Sequence, residues 1–144
     1  NIRYPRKGLI LLGSLGTGKT TVLSLMAGMF QVDMYSEQTL MIEFAKGNVQ
    51  DVYDITCGEF NNAKADLIID DFGSEKNAAS YGNYLDLGSI IMARYELWRK
   101  NGARLFISTN NGWGQIRERD PRVEDRLREM CEPVVMAGES FRRQ

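Results

Sequence analysis

The chain has 144 residues, 43% of them hydrophobic, with 18 basic and 19 acidic side chains and a formal charge of −1. That length supports one domain with one core, and the near-neutral balance excludes a global basic field announcing nucleic acid, so any DNA contact is local. With no histidine, and with Cys57 and Cys131 far apart in sequence, no zinc site is expected and both cysteines read as reduced thiols of a cytoplasmic protein.

No apolar stretch approaches the roughly 18 residues that a membrane span needs, and no leader-like segment precedes the first apolar run. The chain begins at Asn1 without a methionine, which suggests a piece of a longer protein. Residues 1–7, with Arg3, Arg6 and Lys7, read as a lead-in to the domain. Tyr4 could lie against an adenine ring, although a plain linker is the simpler reading.

Leu9 to Leu12 is an apolar run that predicts a buried strand, and Val22, Leu25, Met26 and Met29 recur at helical spacing behind it. Between them stands Gly13-Ser14-Leu15-Gly16-Thr17-Gly18-Lys19-Thr20, which meets G-x-x-x-x-G-K-[ST] at every fixed position. Strand, glycine-rich turn and helix start thus follow one another as a phosphate-binding loop requires. The glycines let consecutive backbone N–H groups turn inward around an anion, and the positive helix end favours phosphate there. Lys19 reaches the β- and γ-phosphates as a point charge, the Thr20 hydroxyl ligates Mg²⁺, and Thr21 completes the nucleotide-binding segment. A ligand-free glycine turn is the bland alternative, but it has no use for Gly-Lys-Thr in register.

Gln31 to Tyr35 predicts a second strand, with Ser36 as N-cap of a helix from Glu37 to about Phe44, ended by Lys46-Gly47-Asn48. Val49 to Ala65 is weakly patterned, a short helix and a loop. Leu67-Ile68-Ile69-Asp70-Asp71-Phe72-Gly73 is the second informative stretch, an apolar strand ending abruptly in two acids. A strand buried on both faces is typical of a parallel sheet, whose ligand crevice lies at the carboxyl ends of the strands. Asp70 is therefore assigned to Mg²⁺, through water, and Asp71 to orienting and deprotonating the attacking water. Taken alone, the stretch is also compatible with a strand and a simple turn.

Gly73 to Asn83 has loop composition, and the following helix carries Leu87, Ile91, Tyr95 and Trp98 on one stripe to Lys100. Arg94 in that helix reads as solvated or capping rather than as a contact to a neighbouring subunit. Residues 103–107 predict another buried strand, ending in Ser108-Thr109-Asn110-Asn111, where the Asn110 amide is placed to sense the attacking water or the γ-phosphate. Gln115 to Arg128 reads as two short helices broken at Asp120-Pro121, with Ile116, Val123 and Leu127 as an apolar seam. Residues 133–137 predict a last strand. Strands alternating with helices give an α/β fold, a three-layer αβα sandwich with a mainly parallel sheet of about five strands.

Gly-Thr-Gly-Lys-Thr (16–20), Ile-Ile-Asp-Asp-Phe-Gly (68–73), Ser-Thr-Asn (108–110), Arg-Val-Glu-Asp-Arg-Leu (122–127) and Gly-Glu-Ser-Phe-Arg (138–142) occur in that order. In this the chain resembles the AAA+ ATPases of the DnaC/DnaI helicase-loader and IstB transposition-helper group, over nearly its whole length. The resemblance implies a single AAA+ domain over 1–144 with no separate lid, and the N-terminal partner-binding region usual in the group is expected to be absent from this chain. It implies ATP and Mg²⁺ as ligands, an ATP-dependent ring or spiral of identical subunits, and a replicative helicase or transposase as partner on single- or double-stranded DNA. It also implies that Arg126 acts as an arginine finger on the adjacent subunit's nucleotide and that Arg142 senses the γ-phosphate. Asp71, where many AAA+ proteins carry the longer Glu, implies slow turnover. The competing readings are a small-molecule or nucleotide kinase built on the same loop, and a nucleotide-dependent scaffold that barely hydrolyses.

Overall fold

In a computed structural model, which describes residues 5–57, 66–73 and 87–137, the elements alternate as the pattern requires. They are β1 (Gly8–Leu12), α1 (Lys19–Phe30), β2 (Asp33–Ser36), α2 (Glu37–Ala45), α3 (Val49–Cys57), β3 (Leu67–Phe72), α4 (Leu87–Asn101), β4 (Leu105–Thr109), α5 (Trp113–Arg119), α6 (Pro121–Met130) and β5 (Cys131–Val135). The five strands form one sheet in the order β2-β3-β4-β1-β5, every neighbouring pair parallel. Parallel neighbours force crossover connections, and crossovers are right-handed. From β1 the chain steps over β4 and β3 to reach β2, and every later step runs back the other way. The first crossover helix therefore lies on one face of the sheet and the later helices on the other.

The core divides accordingly. Ile10, Leu12, Leu67, Ile69, Leu105 and Ile107 point to the face carrying α2 to α6, where they meet Leu40, Val52, Ile91, Trp98, Ile116 and Leu127. The alternate strand residues Leu11, Ile68 and Phe106 meet Leu23 of α1. The period of two along each strand, with both faces covered, is why these runs are apolar throughout.

Local chemistry ends the helices where the sequence indicates. Ser36 Oγ accepts the Thr39 amide at 3.0 Å to open α2, and Asp120 accepts the Arg122 amide at 3.0 Å, with Pro121 in the first turn of α6. The last strand begins two residues earlier than expected, at Cys131, because α6 runs straight into it. Cys131 is a free, fully buried cysteine whose thiol burial pushes up to about 12.

Two expectations are corrected. The stripe read on α1 is not core throughout: Leu25 and Met29 are 62% and 75% exposed, and the buried residues of the helix are Lys19 and Leu23. α1 covers its face of the sheet alone, with no second helix layer among the described residues to bury its outer side. For Arg94 only the solvated half of the expectation fails: the side chain is 1% exposed and caps a helix end. Its guanidinium donates to the carbonyls of Thr56, at the end of α3, and Arg104, before β4, at 3.2 and 2.9 Å. Its long polar side chain thus satisfies backbone acceptors inside the helical layer. The end of the lead-in is also tied down, Trp98 Nε1 donating to the Arg6 carbonyl at 2.8 Å. Tyr4 lies outside the described residues.

Candidate nucleotide-binding site

Three strand ends meet at the carboxyl edge of the sheet, with β4 between β1 and β3. β1 delivers the glycine-rich loop. Gly18 caps α1 with φ 92°, a left-handed conformation that glycine adopts without a Cβ penalty. A Cβ on Gly13 would stand 2.3 Å from the carbonyl oxygen of Met136, so glycine is needed there because the chain leaving β5 crosses the loop. Gly13 N also donates to Thr109 O at 3.3 Å, fastening the loop to β4.

Lys19, 5% exposed, folds back over the loop that precedes it. Its Nζ donates to the carbonyls of Gly13 and Ser14, both at 2.7 Å, and to Thr17 Oγ1 at 3.3 Å. Burial pushes its ammonium below the ordinary lysine pKa, while the carboxylates of Asp71 and then Asp70 pull it back up.

From α1, the Thr20 hydroxyl reaches across to Asp70, 2.9 Å from Oδ2 and 3.2 Å from Oδ1. Asp70 is 5% exposed, whereas the next residue, Asp71, is exposed and has φ 56°. Asp tolerates that region better than most residues, and the change of direction turns Asp71 out of the sheet. Ser14, Leu15 and Gly16 form the outer part of the loop, Leu15 being 65% exposed, and Thr21 is exposed on the first turn of α1. Asn110 lies at the tip of β4, exposed, on the strand between lysine and acids.

Sequence reasoning missed the residues that join these parts. Ser108, wholly buried, donates to Asp70 Oδ1 and accepts the Asp71 amide. Thr109 Oγ1 donates to Phe72 O at 2.8 Å, and Asn111 Nδ2 donates to Gly73 O at 3.0 Å. Three side chains at or near the end of β4, those of Ser108, Thr109 and Asn111, thus strap the end of β3. The available signal was a run of hydroxyl and amide residues closing a strand that is otherwise apolar.

The structure does not bring Arg126 into this cluster. On α6 its guanidinium carbon lies 4.3 Å from the Tyr95 ring centre, and Nη1 stands 3.9 Å from Glu129 Oε2. Tyr95 donates its hydroxyl to the same Glu129 carboxylate, which raises the tyrosine pKa. Arg126 also lines a cavity of about 530 Å³ with Met92, Arg122, Asp125, Arg128 and Glu129. Arg142 and the 138–142 segment lie outside the described residues.

Among the described residues no three His, Cys, Asp or Glu side chains gather as a metal cage. A hydroxyl and one carboxylate side by side suit Mg²⁺ instead, which usually keeps waters and takes one or two carboxylates plus phosphate oxygens. Among the same residues no helix is long and apolar enough to cross a membrane.

A parallel sheet of this order, with a glycine-rich loop between β1 and α1, is a P-loop type of α/β fold. No protein-family model matches the chain, and no curated protein matches it. Solved structures do. DnaI superposes with a TM-score of 0.65 at 22% identity, over 92% of this chain and 74% of that one. A putative primosome component from Streptococcus pyogenes serotype M3 gives 0.63 at 19% identity, over 94% and 70%. AMPPCP-bound DnaA from Aquifex aeolicus gives 0.57 at 15%, over 95% and 43%. The particular fold is thus the one shared with DnaI and DnaA, which bears out at the level of the fold the resemblance carried by the motifs.

Proposed function

We propose that this chain binds ATP with Mg²⁺ at the loop, hydrolyses it slowly, and serves DNA replication as an ATP-switched AAA+ helper. The observation that carries the reading is the hydrogen bond from Thr20 to Asp70, which closes the loop and the acidic strand into one site beside Lys19. In this reading Lys19 exchanges the carbonyls of Gly13 and Ser14 for the β- and γ-phosphates, and the N–H groups of residues 13–20 surround them. Thr20 and Asp70 hold Mg²⁺, which neutralises charge on the phosphate oxygens. Asp71 orients a water and takes its proton, and Asn110 hydrogen-bonds that water or the γ-phosphate.

Arg126 completes the site of the next copy. In the isolated chain its charge is occupied by Glu129 and the Tyr95 ring, away from the chain's own loop, which favours a role in trans. Arg142 acts on the γ-phosphate from the tail after β5. Assembly into a ring or spiral follows from sharing sites in this way. The fold shared with DnaI, the primosome component and DnaA favours replication over transposition, and a replicative helicase on single- or double-stranded DNA as partner.

Phosphate release from ATP, measured against protein concentration with no acceptor added, tests the reading. Release whose specific rate rises as copies associate supports it. ADP formation only when a small-molecule acceptor is supplied, with the phosphoryl group carried by the acceptor and none released as phosphate, would replace it with a kinase.

A further inference from the structure

Where the two acids stand, the backbone ladder between β3 and β4 is interrupted. Ile69 pairs with Ile107 and Phe72 with Thr109, so Asp70 and Asp71 together face the single residue Ser108. Two residues against one is a bulge, a device that re-aims side chains at the ends of strands. It leaves the Asp71 amide without its regular ladder position and holds Asp71 at φ 56°.

A side chain does the work of the ladder there. Ser108 Oγ accepts the Asp71 amide at 2.9 Å and donates its own proton to Asp70 Oδ1. Neither direction can reverse, since an amide only donates and a carboxylate only accepts. Ser108 is 0% exposed, so water does not reach the position to stand in for it. One hydroxyl therefore fixes both the carboxylate beside Thr20 and the backbone that aims Asp71.

We propose that Ser108 is a positioning residue of this site, acting through Asp70 and Asp71 to set the metal-facing carboxylate and the water-facing carboxylate relative to each other. The inference rests on the ATPase reading above and extends it to a residue that touches neither nucleotide nor metal. Ser108→Ala keeps the strand and removes both bonds. Ser108→Thr keeps the hydroxyl and adds a methyl group that suits a strand.

Wild type and both variants are compared as the whole chain, with circular dichroism to confirm the fold. Nucleotide binding without Mg²⁺ stays within about twofold in all three, because the loop is untouched. In Ser108→Ala, kcat falls about 10- to 100-fold, the scale of one lost hydrogen bond to a charged group, while KM for ATP changes little. Calorimetric titration of Mg²⁺ into the ADP complex, which needs no turnover, weakens about 5-fold or more. Ser108→Thr recovers both quantities to within about threefold.

Equal kcat and equal Mg²⁺ affinity in wild type and Ser108→Ala would overturn the inference, as would Ser108→Thr being as impaired as Ser108→Ala. A wild type that binds ADP and Mg²⁺ but never releases phosphate from ATP sinks the ATPase reading instead. In that case the Mg²⁺ titration alone decides Ser108.

Discussion

Thr20 and Asp70 are 50 positions apart in the chain and one hydrogen bond apart in space, the Thr20 hydroxyl lying 2.9 Å from Asp70 Oδ2. The contact exists because β4 separates β1 from β3 by a single strand, so the helix that follows the loop starts within reach of the acidic strand's end. Asp70→Asn keeps the shape, removes the charge and leaves one oxygen acceptor in place of two. It is expected to retain nucleotide binding and to lose Mg²⁺-dependent hydrolysis by about 100-fold or more. Phosphate release across a Mg²⁺ titration checks it, and a variant that matches wild type speaks against Asp70 as the metal-facing acid.

Arg126 is held by an ion pair to Glu129 that is half-exposed on both sides, and such pairs contribute little to stability. Arg126→Ala should therefore unfold within about 1 kcal/mol of wild type and bind ATP normally. Its turnover should fall about 10³-fold or more if the guanidinium serves the neighbour's phosphates. Mixing it with a loop-dead Lys19→Ala chain should restore part of the activity at mixed interfaces. A mixture that stays inactive while wild type is active and oligomeric contradicts a role in trans.

Arg94 carries a structural prediction. Removing its guanidinium strips donors from the carbonyls of Thr56 and Arg104 inside a packed layer. Arg94→Ala is expected to destabilise the chain by about 3 kcal/mol, read as the shift in urea unfolding. A change within about 0.5 kcal/mol, the range of ordinary surface substitutions, would restore the solvated reading.

Asp120 supplies a pH dependence. The Arg122 side chain, and then its amide, hold the Asp120 carboxyl below the usual carboxylate range, with partial burial opposing them. A depressed folded-state pKa gives stability that is complete above the unfolded value of about 4 and is lost as pH falls through the folded one. Asp120→Ala should thus cost about 1 kcal/mol at pH 7, as an N-cap, and the gap to wild type should close in acid below about pH 4. Urea unfolding of both chains at pH 7 and pH 3 measures it. A gap that persists unchanged at pH 3 would assign the cost to packing.

The parts legible in sequence were those whose chemistry is local. Gly13 to Thr20 and Leu67 to Asp71 each state their conformation in consecutive residues, and the alternation of strands with helices gives a parallel sheet but not the order of its strands. What stayed hidden depends on neighbours distant in sequence. Ser108 reads as the start of a polar turn until the register shift on β3 leaves two acids opposite it. Leu25 and Met29 have core spacing, yet they face outward because among the described residues α1 alone lies on their side of the sheet. Arg94 looks like a surface residue on an amphipathic helix because nothing in its own helix shows that α3 ends against it.

The most direct test of the account is titration of fluorescent ATP with Mg²⁺ into wild type and Lys19→Ala, each checked for folding by circular dichroism. Lys19, which the proposed function makes the loop's phosphate-facing cation, is buried against the loop's own carbonyls. Saturable binding by wild type, weakened about 100-fold or more in the variant, is the predicted result. Equal affinity in the two chains, or no binding by a folded wild type, would contradict it.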